Sequence, residues 1–303
     1  MFGRFVIFMM PLMPRKLIKR FAMRYVAGED FDSARQVIQN MNSRNFHATL
    51  DILGEDVSSA EQADGVVAGY KSVLKHIAED GLQANISVKL THLGLRLDEA
   101  AAIQRVHDLA DYAKSLGIFM RIDMEDSSLT QKTLDIHNEV REGRGNVGVV
   151  LQSYLKRTEE DARQLANTGA NIRLCKGIYR EPPEIAFKHP DEIRQSYLRC
   201  AELLLEGRGN YTAFATHDLQ LITALEEMVT FRSIPKDTFE FQALLGVPVE
   251  DTLDALVARG FKVRWYVPFG ADWYAYATRR LEENPDIASY MFRQIFSPQN
   301  RSR

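Results

Sequence analysis

Two arginines, Arg279 and Arg280, stand side by side near the end of a 303-residue chain whose net charge is −3. The planar fork of a guanidinium matches the two oxygens of a carboxylate, so the pair could bind an acid group together. Neighbouring positions of a helix point roughly 100° apart, and two arginines that face one target therefore need a concave site. A solvated helix face would explain one of them easily.

A second set of polar residues stands where short β-like runs of the sequence end. Its members are Glu55, Lys89, Asp123, Glu125, Gln152, Arg173, Lys176, Thr216, His217, Gln242 and Tyr266. Each has an ordinary structural explanation: Lys89 could pair with Asp123, and His217 could cap the next helix together with Asp218. Buried charges are costly unless they are paired, so the set as a whole is harder to explain by structure alone. We therefore expect a polar site where these runs end.

The residue types favour some chemistries over others. We discount a hydrolytic metal site, because the seven histidines are scattered and no two lie within one run. Schiff-base lyase chemistry on Lys89 or Lys176 stays open on residue type alone. Phosphate binding has weak support, because the segment VPFGADW offers a single glycine near a helix start.

The elements that must position these residues are β-like runs that alternate with helical patterns. The runs cover residues 47–53, 85–90, 118–124, 146–152, 171–177, 211–217, 239–245 and 261–267. Such alternation predicts an α/β fold, in which a parallel sheet closes into a (β/α)8 barrel of the TIM type. A doubly wound open sheet is the runner-up, although no G-x-G-x-x-G follows any of the runs.

Local signals support the helices between the runs. An apolar stripe at helical spacing extends from Val66 to Ile77, and another extends from Ile103 to Ala113. Gly117 suits a C-terminal cap for the second of these helices. The letters TEED at 158–161 are typical of a capping box that opens a further helix.

The composition fits one barrel of typical size with additions, and 45% of the residues are apolar. The small negative charge and the pI near 6.2 give no support for a nucleic-acid binder. The two cysteines, Cys175 and Cys200, form no CxxC motif, which fits a reducing cytoplasm.

The N-terminus combines an apolar run at 5–10 with basic residues that follow it. Six residues cannot span a bilayer, which needs about 20. We favour a helix that packs on the domain body, with a basic arm touching an anionic membrane surface as the alternative. The predicted organisation is an N-terminal helical arm over 1–45 and a catalytic barrel over 46–303.

Nine short motifs in register resemble the proline dehydrogenase family. They are LDILGE (50–55), SVKL (87–90), RIDME (121–125), LQSYL (151–155), RLCKGIY (173–179), ATHD (215–218), FEFQALLG (239–246), YVPFG (266–270) and RRLEEN (279–284). The resemblance implies a distorted (β/α)8 barrel that carries FAD, oxidises L-proline to Δ1-pyrroline-5-carboxylate and passes electrons to a membrane quinone.

The resemblance also implies roles for the substrate-binding residues. Lys89, Arg279 and Arg280 would bind the proline carboxylate, and Glu55 would pair with the first arginine and gate the site. Tyr266 would pack against the proline ring, which argues mildly against hydroxyproline as the substrate. Glu283 would add negative charge near the arginines.

Two catalytic residues and a set of flavin contacts follow from the same motifs. Asp123 would be an orienting or ion-pairing group with Lys89 as its partner, and Arg173 would lie close to flavin N5 and stabilise the reduced, anionic flavin. Gln152 would bond the pyrimidine edge of the isoalloxazine. The other implied flavin contacts are Met124, Lys176, Gly177, Ile178, Thr216, His217, Glu240 and Leu245.

The chain departs from the family pattern at one residue and lacks one domain. Ile178 stands where many relatives carry alanine. No second dehydrogenase domain follows, so we expect a monofunctional enzyme whose product passes to a separate pyrroline-5-carboxylate dehydrogenase. The expected location is the cytoplasm, with peripheral attachment to the inner face of the cell membrane as the further possibility. A Schiff-base lyase and a membrane-recruited scaffold remain the alternatives.

Overall fold

A closed barrel of eight parallel strands forms the centre of the computed structural model, which describes residues 15–274, 276 and 278. The strands are β1 His47–Ile52, β2 Ala84–Val88, β3 Met120–Ile122, β4 Val147–Gln152, β5 Asn171–Cys175, β6 Tyr211–Ala215, β7 Phe239–Leu244 and β8 Val263–Phe269. Each strand pairs with the next, and β8 pairs with β1 from His47↔Arg264 to Ile52↔Phe269. The predicted barrel is confirmed.

Two strands have other bounds than the predicted runs, because hydrogen-bonded pairing with their neighbours determines where each strand begins and ends. β3 is shorter than predicted, because only Met120, Arg121 and Ile122 pair with both neighbouring strands. β8 begins later, at Val263, and extends to Phe269 because its backbone stays in register with β1.

Helices surround the barrel on its outer face. They are α1 Arg15–Tyr25, α2 Phe31–Ser43, α3 Ala60–Glu79, α4 Glu99–Ser115, α5 Thr130–Arg141, α6 Thr158–Leu165, α7 Pro190–Glu206, α8 Leu219–Phe231 and α9 Glu250–Ala258, and a 3₁₀ turn covers Ser127–Leu129. Their apolar faces and the outward side chains of the strands form one continuous core.

The predicted local signals have mixed outcomes. Along α3 the stripe is buried from Tyr70 to Ile77, and Gly117 follows α4 with φ +69° as a C-terminal cap would require. The prediction of a capping box at the start of α6 is wrong. The Thr158 hydroxyl donates instead to the carbonyl of Gln152 at 2.6 Å, because Thr158 lies buried against the end of β4.

Helix α2, which precedes β1, closes the outer ring between α9 and α3. It packs against β1 and β8. Arg44, directly after α2, donates to both oxygens of Asp254 in α9 at 2.8 and 2.9 Å, and Arg35 pairs with Asp80 at the end of α3 at 3.1 Å. In an ordinary barrel the helix after β8 fills this sector. The division into an arm over 1–45 and a barrel over 46–303 stays a prediction.

Polar side chains fill much of the barrel interior. Near the amino ends of the strands, Glu240 of β7 accepts from the Arg264 guanidinium of β8 at 2.7 and 3.1 Å. Burial favours the neutral carboxyl of Glu240, but the charges of Arg264 and Lys262 and the hydrogen bonds that Glu240 accepts together hold its pKa well below its usual range. Nearby, Arg121 donates to the backbone carbonyl of Asn171.

Across residues 15–274, no helix combines the length and apolar content that crossing a bilayer requires. The apolar run at 5–10 lies outside the described residues.

Candidate active site

Lys89 lies directly after β2, at the carboxyl end of the barrel, which we call the mouth. Its Nζ donates to both carboxylate oxygens of Asp51 in β1, at 2.9 and 2.8 Å. The predicted partner of Lys89, Asp123, is therefore wrong. Burial favours the neutral amine, yet attraction to Asp51 and Asp123 leaves the pKa of Lys89 above its ordinary value.

Asp51 is a site residue that the sequence analysis missed. Its side chain is 1% exposed, and burial raises its pKa despite the neighbouring ammonium group. The Tyr70 hydroxyl also contacts it, at 3.4 Å. An acidic residue between Leu50 and Ile52, inside a β-like run, was the signal that could have identified it.

Asp123, just beyond β3, joins four strands at the mouth. One carboxylate oxygen accepts from the Ser87 hydroxyl and from Arg173 Nη1, both at 2.8 Å. The other accepts from the Tyr266 hydroxyl at 2.7 Å. The Arg173 guanidinium also lies over the Tyr266 ring, 5.2 Å from its centroid. The structure thus brings Asp123, Arg173 and Tyr266 together, as their shared position at strand ends predicted.

The guanidinium of Arg173 uses only part of its hydrogen-bonding capacity within the described residues. Its Nε and Nη2 are buried, and neither has a hydrogen-bond partner within the described part of the chain. Buried guanidinium donors are normally satisfied, so these two atoms indicate a bound group that accepts hydrogen bonds.

Among the residues that the structure describes, the cluster at the mouth has more carboxylates than cationic side chains. Lys89 and Arg173 face three carboxylates, those of Asp51, Asp123 and Glu125. Glu125 accepts from the Thr91 amide at 3.1 Å, and burial raises the pKa of Glu125. An anionic substrate would be repelled here unless further cations or protonation balanced the site.

Polar groups also line the ends of β4, β5 and β6. Gln152 is buried and donates from Nε2 to the carbonyl of Glu125 at 2.8 Å. Lys176 pairs with Asp218 at 2.5 Å, and the Thr216 hydroxyl accepts from the Asp218 amide. Asp218 also caps α8 by accepting from Gln220, as predicted.

Gly177 allows a close approach of the backbone at the end of β5. Its φ is +104°, and a Cβ at this position would lie 2.1 Å from the Tyr154 ring. Ile178, the next residue, is 45% exposed, whereas Met124 at the end of β3 is buried. The amide of Leu245, which is half-buried, donates to the carbonyl of Tyr266 at 3.0 Å.

Glu240, a predicted flavin contact, is not brought to this cluster. Glu240 is held by Arg264 near the amino ends of the strands, and Gln242 donates to it at 2.5 Å. Glu55 is half-buried after β1, and His217 is exposed after β6. The remaining predicted substrate residues lie outside the described residues: Arg279, Arg280 and Glu283.

The donor set fits a large, electron-accepting ring with anionic substituents. Arg173 offers two buried nitrogens without a partner among the described residues, and Lys176 and His217 supply nitrogen groups at neighbouring strand ends. A flavin nucleotide has ring oxygens and nitrogens to accept such bonds and phosphates to meet cationic groups.

Comparison with known proteins gives consistent matches over most of the chain. The family model described as proline dehydrogenase matches residues 34–293. Proline dehydrogenase 1 of Bacillus subtilis (strain 168) is 36% identical, and the match covers 90% of each chain. Proline dehydrogenase of Deinococcus radiodurans is 37% identical, over 91% of this chain and 90% of the relative.

Longer proteins match through only a part of their length. The crystal structure of proline utilization A from Bdellovibrio bacteriovorus inactivated by N-propargylglycine superposes with a TM-score of 0.82 at 26% identity. That match covers 93% of this chain and 34% of the other. The bifunctional protein PutA of Escherichia coli (strain K12) is 28% identical, over 89% of this chain and 24% of that protein.

Proposed function

The chain belongs to the proline dehydrogenase family, and from that premise we propose that it oxidises L-proline to Δ1-pyrroline-5-carboxylate, the first step of proline catabolism. The observation that carries the proposal is the cluster at the mouth. Strands distant in sequence bring a lysine, an arginine, an aspartate and a tyrosine together, and two buried nitrogens of that arginine have no hydrogen-bond partner among the described residues.

The proposed substrate pose follows from the charges of proline. The carboxylate would lie between Lys89 and the paired arginines, Arg279 and Arg280, which would reverse the negative charge of the described mouth. Glu55 and Glu283 would then balance the arginines. Tyr266 would pack against the ring, and its hydroxyl, held by Asp123, would limit the room for a ring substituent.

We propose FAD as the cofactor, held at the ends of β4 to β6. FAD, when bound, accepts a hydride from the ring carbon next to nitrogen and passes the electrons on. Arg173 would donate its two unpartnered N–H groups to the ring system, and Gln152 would bond the ring edge. The other proposed contacts are Met124, Lys176, Gly177, Ile178, Thr216, His217 and Leu245. The ion pair of Glu240 with Arg264 argues for an indirect role of Glu240 in shaping the barrel interior.

The oxidation of proline also releases protons from its nitrogen. The nitrogen lone pair must be free to form the C=N bond as the hydride leaves carbon. The ammonium group of proline would therefore lose one proton before the transfer, and the resulting iminium would lose a second to give the imine. Asp123 and Arg173 form an ion pair that would orient the amine side of the ring without taking its proton. Both protons would leave to solvent.

The Schiff-base alternative is disfavoured by the state of the two lysines. Schiff-base formation needs a neutral amine. Lys89 is held as an ammonium by a bidentate carboxylate, and its pKa is raised. Lys176 is engaged in an ion pair with Asp218.

We further propose a quinone as the electron acceptor, reached at the inner face of the cell membrane by the N-terminal arm. Basic residues of α1 support an attraction to anionic lipid, although Lys19 is paired with Glu29 at 2.9 Å. Vesicles with and without anionic lipid would test this arm. A chain that lacks residues 1–20 should lose binding to them, and unchanged binding would exclude the arm.

A turnover assay tests the reaction itself. Protein supplied with FAD, L-proline and a soluble quinone should reduce the quinone and yield a product trapped by an aromatic amino-aldehyde. D-proline and pyrrolidine are matched controls, because one inverts and the other lacks the carboxylate. Equal rates with pyrrolidine would contradict the role of the carboxylate, and no product with L-proline would refute the proposal. In the cell, a separate pyrroline-5-carboxylate dehydrogenase would consume this product.

A further inference from the structure

Asp51 and Lys89 form a pair of opposite charges with a well-defined geometry. The carboxylates of Asp123 and Glu125 and the Tyr266 hydroxyl lie around this pair. The lysine Nζ donates two of its three hydrogens to the two oxygens of Asp51. Within the described residues, one N–H of Lys89 is therefore left for another group. The two bonds to Asp51 fix the direction in which this N–H points. The side chain of Lys89 is 15% exposed, which is enough for contact with a ligand at the mouth.

The position of Asp51 excludes a direct role in binding. Its side chain is 1% exposed, lies within β1, and is enclosed by Lys89 and the Tyr70 hydroxyl. Tyr70 in turn donates to the backbone carbonyl of Ser87 at 2.8 Å and accepts from the Ile52 amide at 3.2 Å. These bonds fix the Tyr70 hydroxyl between the backbones of β1 and β2, where it packs against the Asp51 carboxylate.

We propose that Asp51 is a positioning residue, which keeps Lys89 charged and directs its free donor to the carboxylate of the substrate. The inference rests on the proposed function, because it assumes that a carboxylate binds at Lys89. Without Asp51, the carboxylates left among the described mouth residues to favour a charged Lys89 are Asp123 and Glu125, which make no hydrogen bond to its Nζ.

The pH dependence of binding separates this role from a purely structural one. In Asp51→Asn the pKa of Lys89 should fall, so the lysine should lose its charge as pH rises through the alkaline range. We expect KM for L-proline to rise roughly tenfold at pH 7 and further at pH 9, with a much smaller change in kcat, because a charged hydrogen bond to the ground state is weakened.

A binding measurement gives a readout that needs no turnover. Tetrahydrofuran-2-carboxylate has the ring and the carboxylate but no amine to oxidise, and calorimetry on the FAD-loaded protein measures its affinity. Asp51→Asn should bind it roughly tenfold more weakly at pH 7. Wild-type affinity at both pH 7 and pH 9 would overturn the inference.

Asp161→Asn is the matched control. Asp161 is also buried and receives two bonds from one cation, Arg157, at 2.8 Å each, but it lies in α6 outside the barrel. This variant should lose thermal stability while keeping the ligand affinity of the wild type. If its affinity fell as much as that of Asp51→Asn, the effect would be one of general stability and the inference would be wrong.

A double variant covers the case in which Asp51→Asn does not fold. Asp51→Asn/Lys89→Met removes both charges and leaves no buried charge unpaired. If Asp51 acts through Lys89, the double variant should bind the ligand as weakly as Lys89→Met alone. A further tenfold loss in the double variant would show a separate route and overturn the inference. A wild-type protein that does not oxidise L-proline would instead refute the proposed function.

Discussion

The ion pair between Asp123 and Arg173 allows a quantitative prediction. Asp123→Asn removes the only carboxylate that an N–H of Arg173 contacts within the described residues. The two side chains are 12% and 6% exposed, so the remaining guanidinium would be left buried and uncompensated. Removing one partner of a buried pair costs about 3–5 kcal/mol in free energy of unfolding. The amide oxygen can still accept one bond, so we expect a loss of about 3 kcal/mol.

That loss is measurable by thermal unfolding of the protein without added cofactor. For a chain of this size, about 3 kcal/mol corresponds to a fall in Tm of roughly 5 °C. Asp111→Asn is the control, because Asp111 also receives two bonds from one arginine, Arg144, but its side chain is 58% exposed. Exposed pairs contribute about 1 kcal/mol or less, so this variant should change Tm by about 2 °C or less.

A double-variant cycle tests the cause of the loss. Asp123→Asn/Arg173→Gln should be less destabilised than the sum of the two single variants, by roughly 2 kcal/mol, because no charge is left unpaired. Additive losses, or an Asp123→Asn variant as stable as the wild type, would refute the reasoning that the pair is held by mutual charge compensation.

Further predictions concern the proposed flavin site and the outer ring. Gly177→Ala should lower bound flavin per protein, read from visible absorbance, and lower Tm, because its Cβ would meet the Tyr154 ring at 2.1 Å; wild-type flavin content would contradict this. Burial opposes the charge of Asp218, but Lys176 and a neighbouring arginine of α7 lower its pKa to about 2. The stability advantage of the wild type over Asp218→Asn should therefore be full above about pH 4 and disappear as pH falls through about 2, as measured by urea unfolding; a pH-independent difference would exclude this cause. Arg44→Ala should lower the free energy of unfolding by about 1 kcal/mol through loss of the α2–α9 contact, and no change would show that this contact is not stabilising.

The barrel was predictable because its signals are local. Period-two apolar runs alternate with helical stripes, and closure of eight such units is the most economical arrangement. The stripe from Val66 to Ile77 and the cap at Gly117 follow from spacing and from backbone freedom at glycine. The position of α2 was not predictable, because it is set by tertiary contacts with β1, β8, α9 and α3 rather than by any pattern within α2.

The members of the mouth cluster were predictable, but their partners were not. Lys89, Asp123 and Arg173 stand at strand ends that meet at one edge of a parallel barrel. Which carboxylate reaches Lys89 depends on the stagger between strands, where Asp51 stands opposite Ser87 in the β1–β2 register. The TEED pattern failed for a similar reason, because a tertiary contact from Thr158 to β4 replaced the local cap.

The central claim is most directly tested by the visible spectrum of the purified protein under anaerobic conditions, before and after addition of L-proline. The account predicts a yellow protein whose flavin band bleaches with L-proline and stays unchanged with pyrrolidine. A yellow protein that does not bleach would assign a different substrate, with hydroxyproline the next to test. A colourless protein that takes up no flavin from added FAD would contradict the account.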